Sequence, residues 1–329
     1  MKALVTGATG FIGARLAEQL AKGGHEVVAF GAENTELETR RRRALEAAGV
    51  GVELGSVADA PLLRRLVAGV DTVYHLAAAQ HESNVGEDYF RAINVEGTRN
   101  LLEACAAADV SRYVHGSTIG VYGSARNGTL DESSPPHPEN MYGVTKLEAE
   151  EVVKSFAGRL PFTIVRISET YGPGDGRLLK LFKLVNDGFV PLIGGGRNEH
   201  QPVYVDDLVA GLELAAARDE AVGETIVLAG SEVLPTRTFV ERVAEALGKP
   251  LRAVSLPLAP FLVAAFVCEK TCRPLGISPP WHRRRLDFFV KRFAFSQEKA
   301  KRLLGYAPAV PFNQGAALTA DWYRAEGML

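Results

Sequence analysis

The chain has 329 residues, and its 37 lysines and arginines nearly balance 39 aspartates and glutamates. That length suits one large domain carrying a smaller lobe, or two modest domains, and the charge balance leaves no global positive field to hold a nucleic-acid backbone. Three cysteines, Cys105, Cys268 and Cys272, form neither a disulfide framework nor, with a lone C-x-x-x-C spacing, a zinc site, so no metal is expected and a reducing cytoplasm fits.

In chain order, the first apolar segment, 3–5, runs straight into a glycine turn, the wrong order for a secretion signal, and reads as part of the fold. Further short apolar runs at 26–30, 72–76, 112–115 and 162–166 read as strands. Between them, 14–23, 60–68, 90–108 and 141–157 carry apolar residues at three- and four-residue spacing, as helices lying on a sheet do. This alternation predicts an α/β protein with a doubly wound parallel sheet. The basic run Arg40 to Arg43 reads as a solvated helix face.

After Arg166 the pattern loosens into glycine- and proline-marked loops at 171–176 and 193–197, which predict a second lobe built from insertions. A helix over 203–217 and a strand over 225–229 return to the main sheet. The expected division is therefore 1–170 with 201–230 as the main domain, and 171–200 with 231–329 as a substrate lobe. The apolar run 256–268 falls short of the roughly 20 residues that cross a bilayer and holds prolines, so a buried or substrate-facing helix is expected over a membrane-surface contact.

The chemistry starts at Gly7-Ala-Thr9-Gly10-Phe11-Ile12-Gly13, three glycines between the first strand and a helix. Small residues there permit a tight turn and close backbone approach, and the helix presents free N–H groups and its positive end to a diphosphate. The spacing is G-x-x-G-x-x-G. With His75-Leu76-Ala77-Ala78, Asn94-Val-Glu-Gly97, Ser117-Thr118, Val121-Tyr122-Gly123, Tyr142-Gly-Val-Thr-Lys146, Tyr171-Gly-Pro-Gly174, Tyr204-Val-Asp206-Asp207 and Leu304-Gly-Tyr306, it resembles the extended short-chain dehydrogenase/reductase family over nearly the whole chain. The resemblance implies a Rossmann-type fold, an NAD(P)(H) cofactor and a small-molecule substrate. It places Val57, Leu76, Ala77, Ala78, Asn94, Ser117, Ile167 and Ser168 beside the cofactor, with the glycine loop, Tyr142 and Lys146. It also implies a homodimer formed through the helices at 90–108 and 141–157.

Two departures leave NAD against NADP undecided. Where NAD-using relatives commonly end the second strand with an acid for the ribose hydroxyls, this chain has Gly31, with Glu33 two residues on; where relatives often carry an aspartate near the adenine, it has Ser56. Glu33 suits a ribose hydroxyl, whereas Arg40 to Arg43 reach a 2′-phosphate only if that segment folds back.

Tyr142 and Lys146 stand four apart on a predicted helix, hence on one face. Bringing a phenol from pH 10 to about 7 needs roughly 4 kcal/mol of preferential phenolate stabilisation, which a neighbouring ammonium and an oxidised nicotinamide supply. The resemblance makes Tyr142 the acid and base of a hydride transfer and Thr118 the hydroxyl on the substrate oxygen, with Ser117 second to it. Ile119 and Gly120 stand where related 4,6-dehydratases carry Asp-Glu, which leaves oxidation–reduction or 4-epimerisation. His200 replaces the arginine that nucleotide-sugar epimerases usually bring to a diphosphate, with Arg197, Arg285 and Arg292 as candidate substitutes. The run 256–268 and Pro279 to Arg285 look similar to 3β-hydroxysteroid-dehydrogenase-like members. The expected activity is thus a dehydrogenase or reductase of an apolar, sterol-like alcohol or ketone. Its alternatives are a nucleotide-sugar 4-epimerase and a non-catalytic NAD(P)-sensing regulator.

Overall fold

A computed structural model describes residues 1–80, 85–123, 128–272 and 294–329. The first part runs β1 (Lys2–Thr6), α1 (Phe11–Lys22), β2 (Glu26–Gly31), α2 (Glu36–Ala47), β3 (Val52–Leu54), α3 (Ala60–Leu66) and β4 (Thr72–His75). It continues through α4 (Glu87–Arg91), α5 (Gly97–Ala107), β5 (Arg112–Thr118), β6 (Thr129–Leu130), α6 (Met141–Lys154) and β7 (Phe162–Ile167). Next come β8 (Thr170–Tyr171), α7 (Leu179–Asn186), β9 (Phe189–Ile193), β10 (Glu199–His200), β11 (Val203–Tyr204), α8 (Val205–Ala217) and β12 (Thr225–Leu228). The last elements are β13 (Leu234–Pro235), α9 (Thr236–Leu247), β14 (Arg252–Leu256), α10 (Leu258–Cys272), β15 (Ala294–Phe295), α11 (Glu298–Leu304) and α12 (Phe312–Ala325).

Seven strands form one parallel sheet in the order β12-β7-β5-β4-β1-β2-β3. The strand order reverses between β1 and β4, and in such sheets ligands bind beyond the carboxyl ends at this switch point. Helices close both apolar faces of the sheet. On one side Leu16, Ala17 and Leu20 of α1 and Leu208, Val209 and Leu212 of α8 meet it. On the other, Leu62 and Leu63 of α3, Leu101, Leu102 and Cys105 of α5 and Val152 and Val153 of α6 do so. Side chains wedge into each layer at very low exposure, where each of the larger apolar ones contributes roughly 1.5–3 kcal/mol of burial.

Local chemistry sets the element ends. Thr35 and Glu38 form a reciprocal capping box at α2, Asp59 caps α3, and Asn140 caps α6 by accepting the Gly143 N–H at 3.0 Å. The predicted helix 90–108 is divided: α4 and α5 are joined by a π-helical turn over Ala92–Glu96, which carries Asn94. β3 escapes the sequence reading because it is three residues long and shows no two-residue period.

A separate core gathers Tyr171, Phe182, Phe239, Phe312 and Tyr323, with Phe239 and Phe312 at a 4.3 Å ring separation. It unites α7, α9 and α12 over the 171–176 loop. Ala300, Leu304 and Tyr306 pack instead into the sheet's own core, so α11 sits on the main body although it follows the second lobe in sequence. The expectation for 256–268 meets a different outcome. α10 buries only Ala265 and Glu269, while Val263 is 62% exposed and Phe266 and Val267 about half. Among the described residues no helix is long and apolar enough to cross a membrane. Arg285, Arg292 and the 279–285 segment lie outside the described residues.

Candidate active site

Gly7 turns the chain at φ +72°, and a Cβ there would lie 2.7 Å from the Ala77 nitrogen; one on Gly13 would lie 2.2 Å from the Gly7 carbonyl. Glycine is therefore needed at both positions for β1, the loop and α1 to close together. Gly10 starts α1 without a side-chain cap, leaving first-turn N–H groups for an anion. A cradle shaped this way fits the diphosphate of a dinucleotide.

The loop opens into a cleft of about 1010 Å³ at the switch point. Gly7, Gly10, Phe11, Ile12, Gly13, Leu76, Ala78, Ser117, Thr118, Tyr142, Ile167 and Ser168, all anticipated, line it. Thr9, Val57, Ala77, Asn94 and Lys146 stand behind this wall. Thr9 bonds the Ala32 carbonyl at 2.6 Å, and Val57 is part of the core under α5. Asn94 accepts the Ala79 N–H at 2.7 Å and donates to the Ala79 carbonyl at 3.0 Å and to Thr145 at 2.9 Å, tying the strand-end loop after β4 to α6. Four further anticipated residues neither line the cleft nor stand directly behind it. Glu33 accepts from Arg42 at 2.5 Å and Thr39 at 2.9 Å on the outer side of α2, and exposed Ser56 caps its own turn at the Ala58 N–H. His200 is buried, held by Glu169 at 2.9 Å, Thr236 at 2.9 Å and Asn198 at 3.1 Å, and Arg197 is exposed. Sequence reading named His200 as an anion partner from its position alone; the fold uses its ring as a buried hydrogen-bond hub.

At the candidate reacting centre, α6 supplies Tyr142 in its first turn and Lys146 one turn later. The Tyr142 phenol is hydrogen-bonded to Thr118 at the end of β5, and Thr118 also accepts the Gly120 N–H at 3.0 Å. Burial pushes the phenol up to about 12, outweighing the lowering by the Thr118 hydrogen bond and by the Arg177 charge. The protein's own groups thus keep Tyr142 protonated at neutral pH. Lys146 is 1% exposed, and burial pulls its ammonium down to about 8 against the pull of Glu150. Its Nζ lies 3.3 Å from His115 Nε2. Burial and the Lys146 charge hold His115 well below the usual histidine range, so the neutral ring accepts from the ammonium.

Ser117 is committed elsewhere: its hydroxyl donates to Glu150 at 2.5 Å, within a buried ion pair in which Arg166 meets Glu150 at 2.7 Å and donates to the Tyr122 hydroxyl at 2.7 Å. Thr118, bonded to Tyr142 and to the Gly120 N–H, is the hydroxyl that stands beside the phenol in the cleft. The cleft also holds groups that sequence reading did not single out, Asn140, Asp175 and Arg177, and Arg41, which turns inward from the basic run considered for a 2′-phosphate. Asn140 had a signal as the cap residue two positions before Tyr142. Arg177 follows the anticipated 171–176 loop, but nothing in its spacing says that it faces Tyr142.

The model of the NAD dependent epimerase/dehydratase family matches residues 3–229. The chain belongs to this family. This NAD-dependent epimerase/dehydratase member is 31% identical over 96% of its length to 2-alkyl-3-oxoalkanoate reductase of Stenotrophomonas maltophilia, covering 97% of that protein. It is also 31% identical to a dTDP-glucose 4,6-dehydratase of Streptomyces griseus, over 97% of this chain and 93% of the other. Its fold is similar to that of UDP-glucuronic acid 4-epimerase from Bacillus cereus in complex with NAD, at a TM-score of 0.80 and 25% identity over 99% of both chains. Family and neighbours are nicotinamide-dependent epimerases, dehydratases and reductases of the extended short-chain dehydrogenase/reductase type, and this chain is an enzyme of that kind. Its glycine cradle, with no room for a Cβ, fits their cofactor.

Proposed function

We propose that this family member interconverts a secondary alcohol and its ketone by hydride transfer, on an apolar substrate, with Tyr142 as acid and base. One observation carries the reading: Thr118 and Tyr142 meet in the cleft beside the glycine cradle, while Ile119 and Gly120 line the same wall where an elimination would need an acid and a base. When bound, a nicotinamide cofactor supplies the hydride-exchanging carbon and, oxidised, a positive charge. In ketone reduction, Tyr142 gives its proton to the carbonyl oxygen that Thr118 orients. In oxidation it recovers that proton from the alcohol, and Lys146, one turn behind, favours the phenolate electrostatically. The apolar substrate is supported by the resemblance to a protein named as a 2-alkyl-3-oxoalkanoate reductase, and by Arg197 and His200, both nominated for a diphosphate, standing outside the cleft lining. A sterol in particular has no such support.

The second reading, a nucleotide-sugar 4-epimerase, is favoured by the similarity to the UDP-glucuronic acid 4-epimerase. The two separate by cofactor turnover: ketone reduction consumes reduced nicotinamide stoichiometrically, whereas epimerisation returns it. Incubation with a panel of alkyl ketones and of UDP-sugars, with cofactor absorbance and product analysis read together, decides between them. Tyr142→Phe is expected to lower kcat at least about a hundredfold. Equal activity of variant and wild type on every substrate would remove Tyr142 from the chemistry.

A further inference from the structure

We infer that the adenosine end of the cleft is built for a 2′-phosphorylated ribose, so that the cofactor is NADP(H), with Arg41 as the residue that selects it. This rests on the dinucleotide reading of the cleft. In a sheet of this kind the diphosphate sits at the first glycine turn, and a carboxylate at the end of the second strand takes the ribose hydroxyls; an arginine nearby takes a 2′-phosphate instead. Here β2 ends in Gly31, which has no carboxylate. A Cβ at Gly31 would lie 2.5 Å from Thr9 Oγ1 and 3.1 Å from Thr9 Cγ2, so the Thr9 side chain, fixed by its bond to the Ala32 carbonyl, fills the space an acidic side chain would leave through. The next acid, Glu33, is drawn out of the cleft by Arg42 and Thr39.

Asn34, Thr35, Glu38 and Arg41 line the cleft just beyond Gly31. Among the described residues Arg40 pairs with Glu36 and Glu326 and Arg42 with Glu33 and Glu46, but Arg41 makes no ion pair. Its guanidinium spans the cleft wall, donating to the Thr9 carbonyl at 3.3 Å and to the Gly174 carbonyl at 2.7 Å. Two of its five N–H donors are used in this way, which fixes the fork and leaves the others for a ligand. Two acids act on Arg41 through space, Glu38 and Asp175, and Arg177 is the opposing cation. Glu38 Oε2 is occupied by the N–H groups of Asn34 at 2.7 Å and Thr35 at 2.9 Å, and Asp175 Oδ1 by Arg177 at 3.0 Å, while Asp175 Oδ2 is buried with no hydrogen-bond partner among the described residues. The chain therefore presents a half-buried, preorganised arginine where a hydroxyl-binding relative needs a carboxylate.

The test is equilibrium binding to the purified full chain by calorimetry, with NADPH, NADH, 2′,5′-ADP and ADP as ligands. NADPH and 2′,5′-ADP are each expected to bind at least about tenfold tighter than NADH and ADP, the worth of one charge-assisted contact. Arg41→Gln should weaken NADPH and 2′,5′-ADP at least about tenfold more than NADH and ADP, and Arg41→Lys should restore part of the difference. An arginine that only braces the Thr9 and Gly174 carbonyls would weaken all four ligands alike, and this would overturn the assignment. So would NADH binding as tightly as NADPH to the wild type. If neither dinucleotide binds, the cofactor reading of the cleft falls with it, an outcome distinct from a preference for NADH.

Discussion

At the scale of single residues, the Tyr142–Lys146 pair is a contest between burial and neighbouring charge. Tyr142 and Lys146 share a helix face, yet burial moves both toward their neutral forms: the phenol up to about 12, the ammonium down to about 8. Lys146 has an ordinary value of 10.5, so between about pH 8 and pH 10.5 the unfolded chain holds a proton there that the folded chain has released. Stability then rises with pH across this window, and below it the folded state carries the full cost of the buried ammonium, on the order of 3 kcal/mol. Comparing Lys146→Met with wild type in denaturant melts at neutral pH and near the upper end of that window isolates this contribution. The stability advantage of the variant should shrink by roughly 1–3 kcal/mol as pH rises. An advantage that stays constant with pH would show that Lys146 does not titrate there.

At the scale of elements, α6 must be held in register for its first turn to serve the cleft. The buried Glu150–Arg166 pair does this by joining α6 to β7, with Ser117 of β5 and the Tyr122 hydroxyl completing the contacts. Replacing Glu150 by Ala strands the Arg166 charge in a dry interior. A loss of about 3–5 kcal/mol in unfolding free energy is expected, most of it recovered when Arg166 is also changed to Met. A fall no larger in Glu150→Ala than in an exposed control such as Glu151→Ala would sink this account. Sequence patterning located α6 but could not see its anchor, because Glu150 and Arg166 come together only through the packing of α6 on the sheet. The basic run on α2 makes the same point. Arg40, Arg41 and Arg42 look alike in sequence, but the turn of about 100° between successive helix residues sends Arg41 to the cleft and the others to carboxylates on the outside.

At the scale of the molecule, the cleft is walled by the ends of the main sheet and by the 171–176 loop, behind which the second core packs. The 171–176 loop brings Gly174 against Phe11 and Gly176 against Leu37, and Tyr323 of α12 holds the loop from behind by donating to the Asp175 carbonyl at 2.6 Å. A ligand in the cleft should therefore stabilise both lobes. Reduced nicotinamide cofactor at a hundred times its Kd is expected to add about 2.7 kcal/mol and shift one cooperative transition upward. Melting of a second-lobe transition unmoved by cofactor would mean that the lobes do not share the site.

What the sequence determined by itself is the local chemistry: three glycines whose missing Cβ atoms make the cradle, the i, i+4 placement of Tyr142 and Lys146, and the strand–helix alternation that yields the parallel sheet. These depend on neighbours close in the chain. Tertiary structure alone decided that Ser117 serves Glu150, that His200 turns inward, that α10 stays largely exposed, and that Arg41 and Arg177 line the cleft. Each of those outcomes is set by which distant segments pack together, and a side chain's direction follows from that packing.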